Sequence, residues 1–535
     1  MVESSQLLFL LLLVTCSRRQ VLEFEIGHCA KIRDEDNRIF KTGENMRLYR
    51  YRSIESALRD LREQSFYFAS KEELNDPLER YLRLYWQGDK PAWEGLFKNY
   101  IWSLYQAFSL YLVEGDKTLI HKGTVVLDVH MFDNVPLGEV LRKIGHRFIS
   151  IEQMQWLASF YGNNNLKCGT KELIFVLRLA HELAEKICIE DMLARKMINS
   201  DEGGELLSLI GKEPEKKIES LRTIEDENIE EKLLNLDETE RRRYLTFLEN
   251  AMEDIATQGM IVAEAKFFGG KDYLYKNMTD EKGNQARNWM SIKTDYPRLY
   301  VEQLKEVIFP KSYVVCFSTT NDNSAMWGNY ADNHRGVCLI YESDDLMIAE
   351  YKENSSIAEE YKERPKYKKI RVSPVKYGGP LVERNFFESL GRLTFPQVRE
   401  WLTGTEKISD CLDKYVKNRE PWRQDYWDDV ESCYHKKLGS WEHEKEYRIH
   451  IDNTLKDISD PKSRKFMVSP KSIKGIIFGI NTSEYDMKQI FELIPSECWD
   501  KDADFEFYRA EYDDETMKIY IRKMTMTIKK TTIID

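Results

Sequence analysis

The hydrophobic period of this chain changes twice, and that change limits its fold more than any other feature. Leu48–Tyr51 is a short aromatic strand. Ser53 is a good N-cap, and Ile54, Ala57, Leu58 and Leu61 then follow a helical period. Phe66–Ser70 is a second strand, and Asn75-Asp76-Pro77 turns the chain, since Asn and Asp favour turns and Pro fixes φ. Residues 81 to about 300 then read as helix. Pro91–Leu112 is packed with aromatics and leucines. Ile151–Tyr161 and Leu173–Ile198 carry apolar side chains at helical spacing. Glu202–Gly259 is charged and amphipathic, with Ile218, Leu221, Ile224, Ile229, Leu233 and Leu236 as its expected buried positions. From about 310 strands return: Tyr313–Ser318, Val337–Tyr341, Lys369–Tyr377, Glu446–Ile451 and Ile473–Phe478, with a helix over Leu390–Arg419 and terminal strands at Phe505–Tyr508 and Lys518–Ile528. The expected fold is therefore α+β, with a mixed or antiparallel sheet core interrupted by a large helical insertion. Residues 46–80 and 311–535 form the α+β domain, 81–310 the insertion, and 1–45 an N-terminal extension.

Bulk properties narrow the function classes. A net charge of -12 argues against broad electrostatic binding of nucleic acid or anionic membrane, while leaving room for a local basic groove. The nine cysteines are scattered singly with no Cys-x-x-Cys pair, which predicts reduced thiols in the cytoplasm and no zinc site. His28/Cys29 and Cys433/His435 are read as incidental neighbours. The apolar run Gln6–Val14 is shorter than the roughly 20 residues that span a bilayer, and Glu3 stands where a signal peptide has basic residues. Three readings of it stand: a start placed upstream of a true Met46, a plain extension, or an anchored product echoed by Thr15-Cys16.

Five words of sequence put charged or hydroxyl groups beside aromatics at expected strands or strand edges. They are Leu48-Tyr49-Arg50-Tyr51-Arg52, Asn75-Asp76-Pro77-Leu78-Glu79, Cys316-Phe317-Ser318-Thr319-Thr320, Met326 to Gly336, and Trp441-Glu442-His443-Glu444-Lys445-Glu446-Tyr447-Arg448. A fold does not require such mixtures; a pocket that grips a polar ligand does. Trp327, Tyr330 and His334 are candidate pocket residues on these grounds, with Asp332 a candidate orienter of His334. The bland reading has Trp327 and Tyr330 packing a core and His334 capping a strand. No Gly-rich phosphate loop, Gly-x-Ser-x-Gly elbow or His-Glu-x-x-His motif occurs.

These words, in this order, resemble the widespread, mainly bacterial domain-of-unknown-function family twenty-nine seventy-one. The likeness covers residues 46–80 and roughly 313–480, and the interval between is much longer than usual for that family. The family name carries no activity. The residue pattern, however, resembles the three-part signature of NAD-dependent ADP-ribosyltransferases, with Arg50, Ser318-Thr319-Thr320 and Glu444-Lys445-Glu446 at the matching positions. The resemblance implies NAD as substrate and no metal. It makes Glu446 the carboxylate that stabilises a cationic ribosyl transition state and Glu444 the group that orients or deprotonates the acceptor. Arg50, Ser318, Thr319, Trp327, Tyr330 and His334 would bind the cofactor, with Arg50 clamping the pyrophosphate. Strand alternation puts Glu444 and Glu446 on one face.

Each piece also has a plain structural reading: Arg50 pairing with an acid, Ser-Thr-Thr making an ordinary turn, and Glu-x-Glu lying on a solvated strand face. Three function classes therefore stand. The first is a glycosyltransferase-type enzyme that ADP-ribosylates a protein or nucleic acid, with a role in bacterial conflict or defence. The second is a nucleotide-sensing or protein-interaction module without chemistry. The third is a metal-independent nuclease or hydrolase using His334, Asp332 and the glutamate pair.

Overall fold

The computed structural model describes residues 46–524, apart from 77–78, 80–81, 115–124, 127–135, 209, 225–226, 269–280, 353–367, 418, 454–457, 495–497 and 499–504. The extension 1–45, Pro77 and Leu78 of the expected turn, and residues 525–528 of the last expected strand lie outside the described residues. The described residues fall into two compact units, one helical (84–309 and 383–426) and one α+β (46–83, 310–382 and 427–524). The stretch 383–426, which the sequence places with the α+β part, clusters with the helices instead. Its apolar residues Phe386, Phe387, Leu390, Trp401 and Leu402 are buried.

The chain opens with strand β1 (Met46–Arg52), helix α1 (Ile54–Glu63) and strand β2 (Ser65–Tyr67). Ser53 caps α1 as expected, its hydroxyl accepting from the Ser56 amide at 3.3 Å. The helical unit then contributes α2 (Lys90–Glu114), α3 (Pro136–Ile149), α4 (Glu152–Asn163), α5 (Thr170–Ala194), α6 (Glu238–Phe268) and α7 (Glu281–Ile308). Helix α5 packs against α2, α3, α6 and α7. Its apolar residues Leu173, Val176, Leu177, Ala180, Leu183, Ala184, Ile187 and Cys188 are all buried, so it is a core helix rather than a surface one. Of the positions expected to be buried in the charged stretch, Ile218, Leu221 and Leu233 are buried. Ile229 and Leu236 are half-buried.

The α+β unit resumes with β3 (Ser312–Ser318), α8 (Ser324–Tyr330), β4 (Val337–Asp344), β5 (Met347–Lys352), β6 (Lys368–Arg371), β7 (Ser373–Pro374), β8 (Glu446–Asp452), β9 (Lys465–Val468), β10 (Ile473–Phe478), α9 (Glu484–Leu493), β11 (Glu506–Asp513) and β12 (Lys518–Lys523). The architecture is mixed α and β around one large, mainly antiparallel sheet of 12 strands. Its main path runs β7-β8-β3-β1-β4-β10-β11-β12, and β10–β11 is a parallel pair. Strands of the first and last segments thus interleave, with β1 between β3 and β4.

Period-two alternation sorts the side chains onto two faces. One face carries Leu48, Val315, Phe317, Leu339, Tyr447, Ile449 and Phe478, covered by Ala57 and Leu61 of α1 and Met487 and Ile490 of α9. The other carries Tyr51, Cys338, Ile340 and Ile477, covered by Met326 and Trp327 of α8. Helix α8 is capped by Asn323, whose side-chain oxygen accepts from the Ala325 amide at 2.8 Å. It ends in a left-handed turn, with Asp332, Asn333 and His334 at φ 47, 52 and 67. Such φ values cost a non-glycine residue about 1–2 kcal/mol each. The turn is held by backbone bonds from His334 to Trp327 (3.1 Å) and from Gly336 to Ala331 (2.8 Å). Among the described residues no helix is long and apolar enough to cross a membrane.

Gly336 joins this turn to β4 at a point where a Cβ would stand 2.1 Å from the Arg52 carbonyl oxygen. That contact is with backbone on the neighbouring strand and cannot be relieved by a rotamer change. Gly336→Ala is expected to destabilise the protein by about 2–4 kcal/mol, a size typical of overpacking plus backbone strain. Urea unfolding should show a lower midpoint at constant m-value, whereas an unchanged midpoint would mean the two strands part readily here.

Candidate functional site

The second face of the sheet carries a buried ion network at the junction of β3 and β8. Register places Ser318 opposite both Tyr49 and Glu446, and Cys316 opposite Arg448, so these side chains share the face. Arg448 is 0% exposed. Its guanidinium donates to both oxygens of Glu446, from Nε at 2.7 Å and Nη2 at 2.8 Å. Nη1 donates to the Tyr434 carbonyl at 3.0 Å, and Nη2 also pairs with Glu79. Lys437 lies among the carboxylates, 2.6 Å from Glu444 Oε2, 3.3 Å from Glu446 Oε2 and 3.5 Å from Glu79 Oε2, with its ammonium 4.8 Å from the Trp441 ring centroid. Tyr330, half-buried at the end of α8, donates its hydroxyl to Glu444 Oε1 at 2.6 Å. Tyr377, also half-buried, accepts the Glu446 amide at 2.7 Å.

Burial alone would raise the Glu446 carboxyl, but Arg448 and Lys437 outweigh it and hold the group at about 2. Burial lowers Lys437, yet the charges of Glu446, Glu79 and Glu444 carry it above the ordinary lysine range. Burial first, and then the hydrogen bond to Glu444, push the Tyr330 phenol well up. Burial beside Glu446 also pushes the Cys316 thiol up, so it is not a nucleophile in this setting. Glu446 is thus an ionised carboxylate fixed in position, and Glu444 is the carboxylate that meets a half-exposed phenol. Among the described residues no group of three or more His, Cys, Asp or Glu side chains is placed to hold a metal ion. The cation at the centre of these carboxylates is Lys437.

The other sequence candidates sort differently. Arg50 does not join the site. It stands one residue from Tyr49, hence on the opposite face, where it donates to Asp60 at 3.0 Å and lies over the Phe66 ring. Glu444 is not on a strand. It ends a 3-10 turn (Gly439–Glu444), Lys445 is left-handed at φ 45, and β8 begins at Glu446. The two carboxylates converge through Lys437 rather than through strand alternation. Ser318 donates to the Glu444 backbone carbonyl at 2.7 Å, and Thr319 bonds the Lys445 carbonyl through its amide at 3.1 Å, so both fix the turn before β8. Trp327 is 0% exposed and packs edge-on to Tyr51 at 5.1 Å, with its indole N–H on the Asn321 carbonyl at 2.7 Å: a core residue. His334 is half-buried in the left-handed turn, its Nδ1 lacking a hydrogen-bond partner, and burial lowers its titration point. Asp332 is exposed.

Sequence reasoning missed Lys437 and Tyr377. They meet because the two-residue strands Lys376–Tyr377 and Lys436–Lys437 pair in parallel, a contact that no local pattern announces. Glu79 and Arg448 were visible inside their motif words but were given no role.

Two substitutions test this geometry. Glu446→Gln leaves Arg448 buried beside a neutral amide and is expected to cost about 3–5 kcal/mol of stability, as breaking a buried ion pair does. Because the folded carboxyl titrates below its ordinary value, its stabilisation is full above about pH 4.5 and is lost as pH falls toward about 2. Thermal melts from neutral to acid pH should show wild type losing stability faster than the variant over that window; parallel curves would deny the ion pair its weight. Trp327→Ala is expected to cost about 3–5 kcal/mol as a core deletion. A melt within 1 kcal/mol of wild type, taken as the limit from the general size of surface substitutions (about ±0.5 kcal/mol), would instead make Trp327 a pocket residue.

No curated protein and no solved structure matches this chain. A family model does match, over a stretch that runs from the first turn of α8 into β8 and includes Tyr330, Lys437, Glu444, Glu446 and Arg448: residues 326–449 are similar to the family described as Protein of unknown function (DUF2971).

Proposed function

We propose that the α+β unit recognises a nucleotide, with NAD the first candidate, at the edge of the ion network where Tyr330 meets Glu444. The observation that carries this reading is the 2.6 Å bond from a half-exposed phenol to a carboxylate that is otherwise buried and held by Lys437. A ligand hydroxyl can take the place of the phenol on Glu444, as ribose hydroxyls do on carboxylates. The half-buried rings of Tyr377 and Trp441 offer stacking faces nearby in the chain's own network. Strongly perturbed charges gathered in one place are a recurrent mark of functional sites.

The catalytic version of this reading, transfer of ADP-ribose to a protein or nucleic acid, is favoured by one feature. Glu446 is kept ionised and immobile, which is what stabilising a cationic ribosyl transition state asks of a carboxylate. The same reading has to do without Arg50 as pyrophosphate clamp. Lys445, exposed between the two glutamates, is the cation available in its place. A cytoplasmic setting fits the seven free cysteines among the described residues. A defence role rests on the analogy to ADP-ribosyltransferases alone.

Titrating NAD into the full chain, with ADP-ribose and nicotinamide as separate probes, tests recognition by thermal shift and calorimetry. Glu444→Gln should weaken NAD binding about tenfold or more, the loss of one charge-assisted hydrogen bond, whereas Tyr330→Phe, which removes only the hydroxyl that the ligand displaces, should not weaken it. No binding by wild type, or wild-type affinity in Glu444→Gln, overturns the site. Nicotinamide release from NAD decides between enzyme and sensor: release that Glu446→Gln reduces about a hundredfold, in protein that remains folded, supports transfer chemistry.

A further inference from the structure

Helix α6 turns one side to the core of the helical unit and leaves an apolar strip on another. At roughly 100° per residue, Arg241, Leu245 and Glu249 share one side of the helix. All three are buried, and Glu249 pairs with Arg178 of α5 at 2.7 Å. Tyr244, Phe247, Ala251 and Ile255 fall on an adjoining side, within an arc of about 80°. Tyr244 is 45% exposed, Phe247 68% and Ile255 69%. Single exposed apolar residues are ordinary, and the solvated face of a helix is normally polar. Three large ones aligned over about three turns of one helix make a strip that another surface can bury.

One edge of the strip carries charge. Arg243 and Asp254 are both exposed, and they lie about 20° apart around the helix axis and roughly 16 Å apart along it. Among the described residues neither has an ion-pair partner. The two preceding arginines do have partners: Arg241 bonds the Lys167 carbonyl at 3.2 Å, and Arg242 pairs with Glu238. A single edge of the strip is thus basic at its N-terminal end and acidic toward its C-terminal end.

We propose that this strip is the contact between two copies of the chain, with their α6 helices packed antiparallel about a twofold axis level with Glu249. That arrangement sets Phe247 against the small Ala251 of the second copy and Tyr244 beside its Ile255. It also brings Arg243 next to the second copy's Asp254, twice over by symmetry. A parallel pairing would instead bring Arg243 to Arg243 and Asp254 to Asp254. The face therefore complements itself only when one copy is reversed. Exposed ion pairs add little affinity, so burial of the strip drives the association and the charges set its direction.

Light scattering and sedimentation velocity of the full chain, over about a hundredfold range of concentration, read the mass directly. Wild type should approach the mass of two chains at the upper end. Phe247→Glu, which puts a charge into the strip, should raise the dissociation constant about thirtyfold or more. Arg243→Glu and Asp254→Arg each set like charges together twice, and each should raise it about tenfold; the double variant restores opposite charges and should recover most of the loss. All three positions are exposed, so the variants should keep the wild-type circular dichroism. If Phe247→Glu loses its helical signal, the charge-reversal series carries the test. A chain that stays monomeric throughout, an assembly that a folded Phe247→Glu leaves intact, or a double variant no tighter than the single ones overturns the proposal.

Discussion

Arg448 has no exposed surface, and a guanidinium in that position has to be met by charge and hydrogen-bond acceptors on every side. It is met by Glu446 on its own strand, by Glu79 beyond β2, and by the Tyr434 carbonyl at the end of a helix. Lys437 then ties Glu79 and Glu446 to Glu444 in the 3-10 turn before β8. Four chain segments are held by charges that cannot be exchanged singly, because removing one strands another in a medium that solvates it poorly. The β3–β8 edge of the sheet takes its shape from this requirement.

The same requirement explains why functional groups gather there. An ion network that is buried and nearly saturated has few degrees of freedom left, and it presents them only where it meets partly exposed side chains. Here those are Tyr330 and Tyr377. Tyr330 is delivered by α8, whose end is a left-handed turn of three non-glycine residues held by its own backbone bonds and by the close approach of Gly336 to β1. Local strain of this kind persists only where surrounding structure over-determines it. In this unit the overdetermination comes from Trp327 in the core and from the β1–β4 ladder.

The helical unit also pairs buried charges, as Arg178 of α5 does with Glu249, and on the same helix it buries a histidine and an acid that burial pushes toward their neutral forms. The rings of Tyr100, Tyr296 and Tyr300 lie around His181, and the Tyr100 hydroxyl bonds its Nδ1 at 2.8 Å.

Residue patterns alone do not give β5, β9, α8 or α9, but they do give the change from strand to helix and back, the Ser53 cap and the apolar rows of β3, β4 and β10. Each of these depends on neighbours within one turn or one pleat. The motif words also pointed to Glu444, Glu446 and Tyr330. What they could not supply was the face on which each residue stands relative to the others. A strand period of two separates Arg50 from Glu446 by a single register step, and that step is decided by pairing between segments more than 260 residues apart, at Tyr49 and Ser318. Likewise Lys437 gains its role from a parallel pairing of two dipeptides, and Glu444 leaves the strand because Lys445 turns left-handed. Those choices belong to tertiary structure, since the free energy that fixes them comes from burying charges contributed by distant parts of the chain.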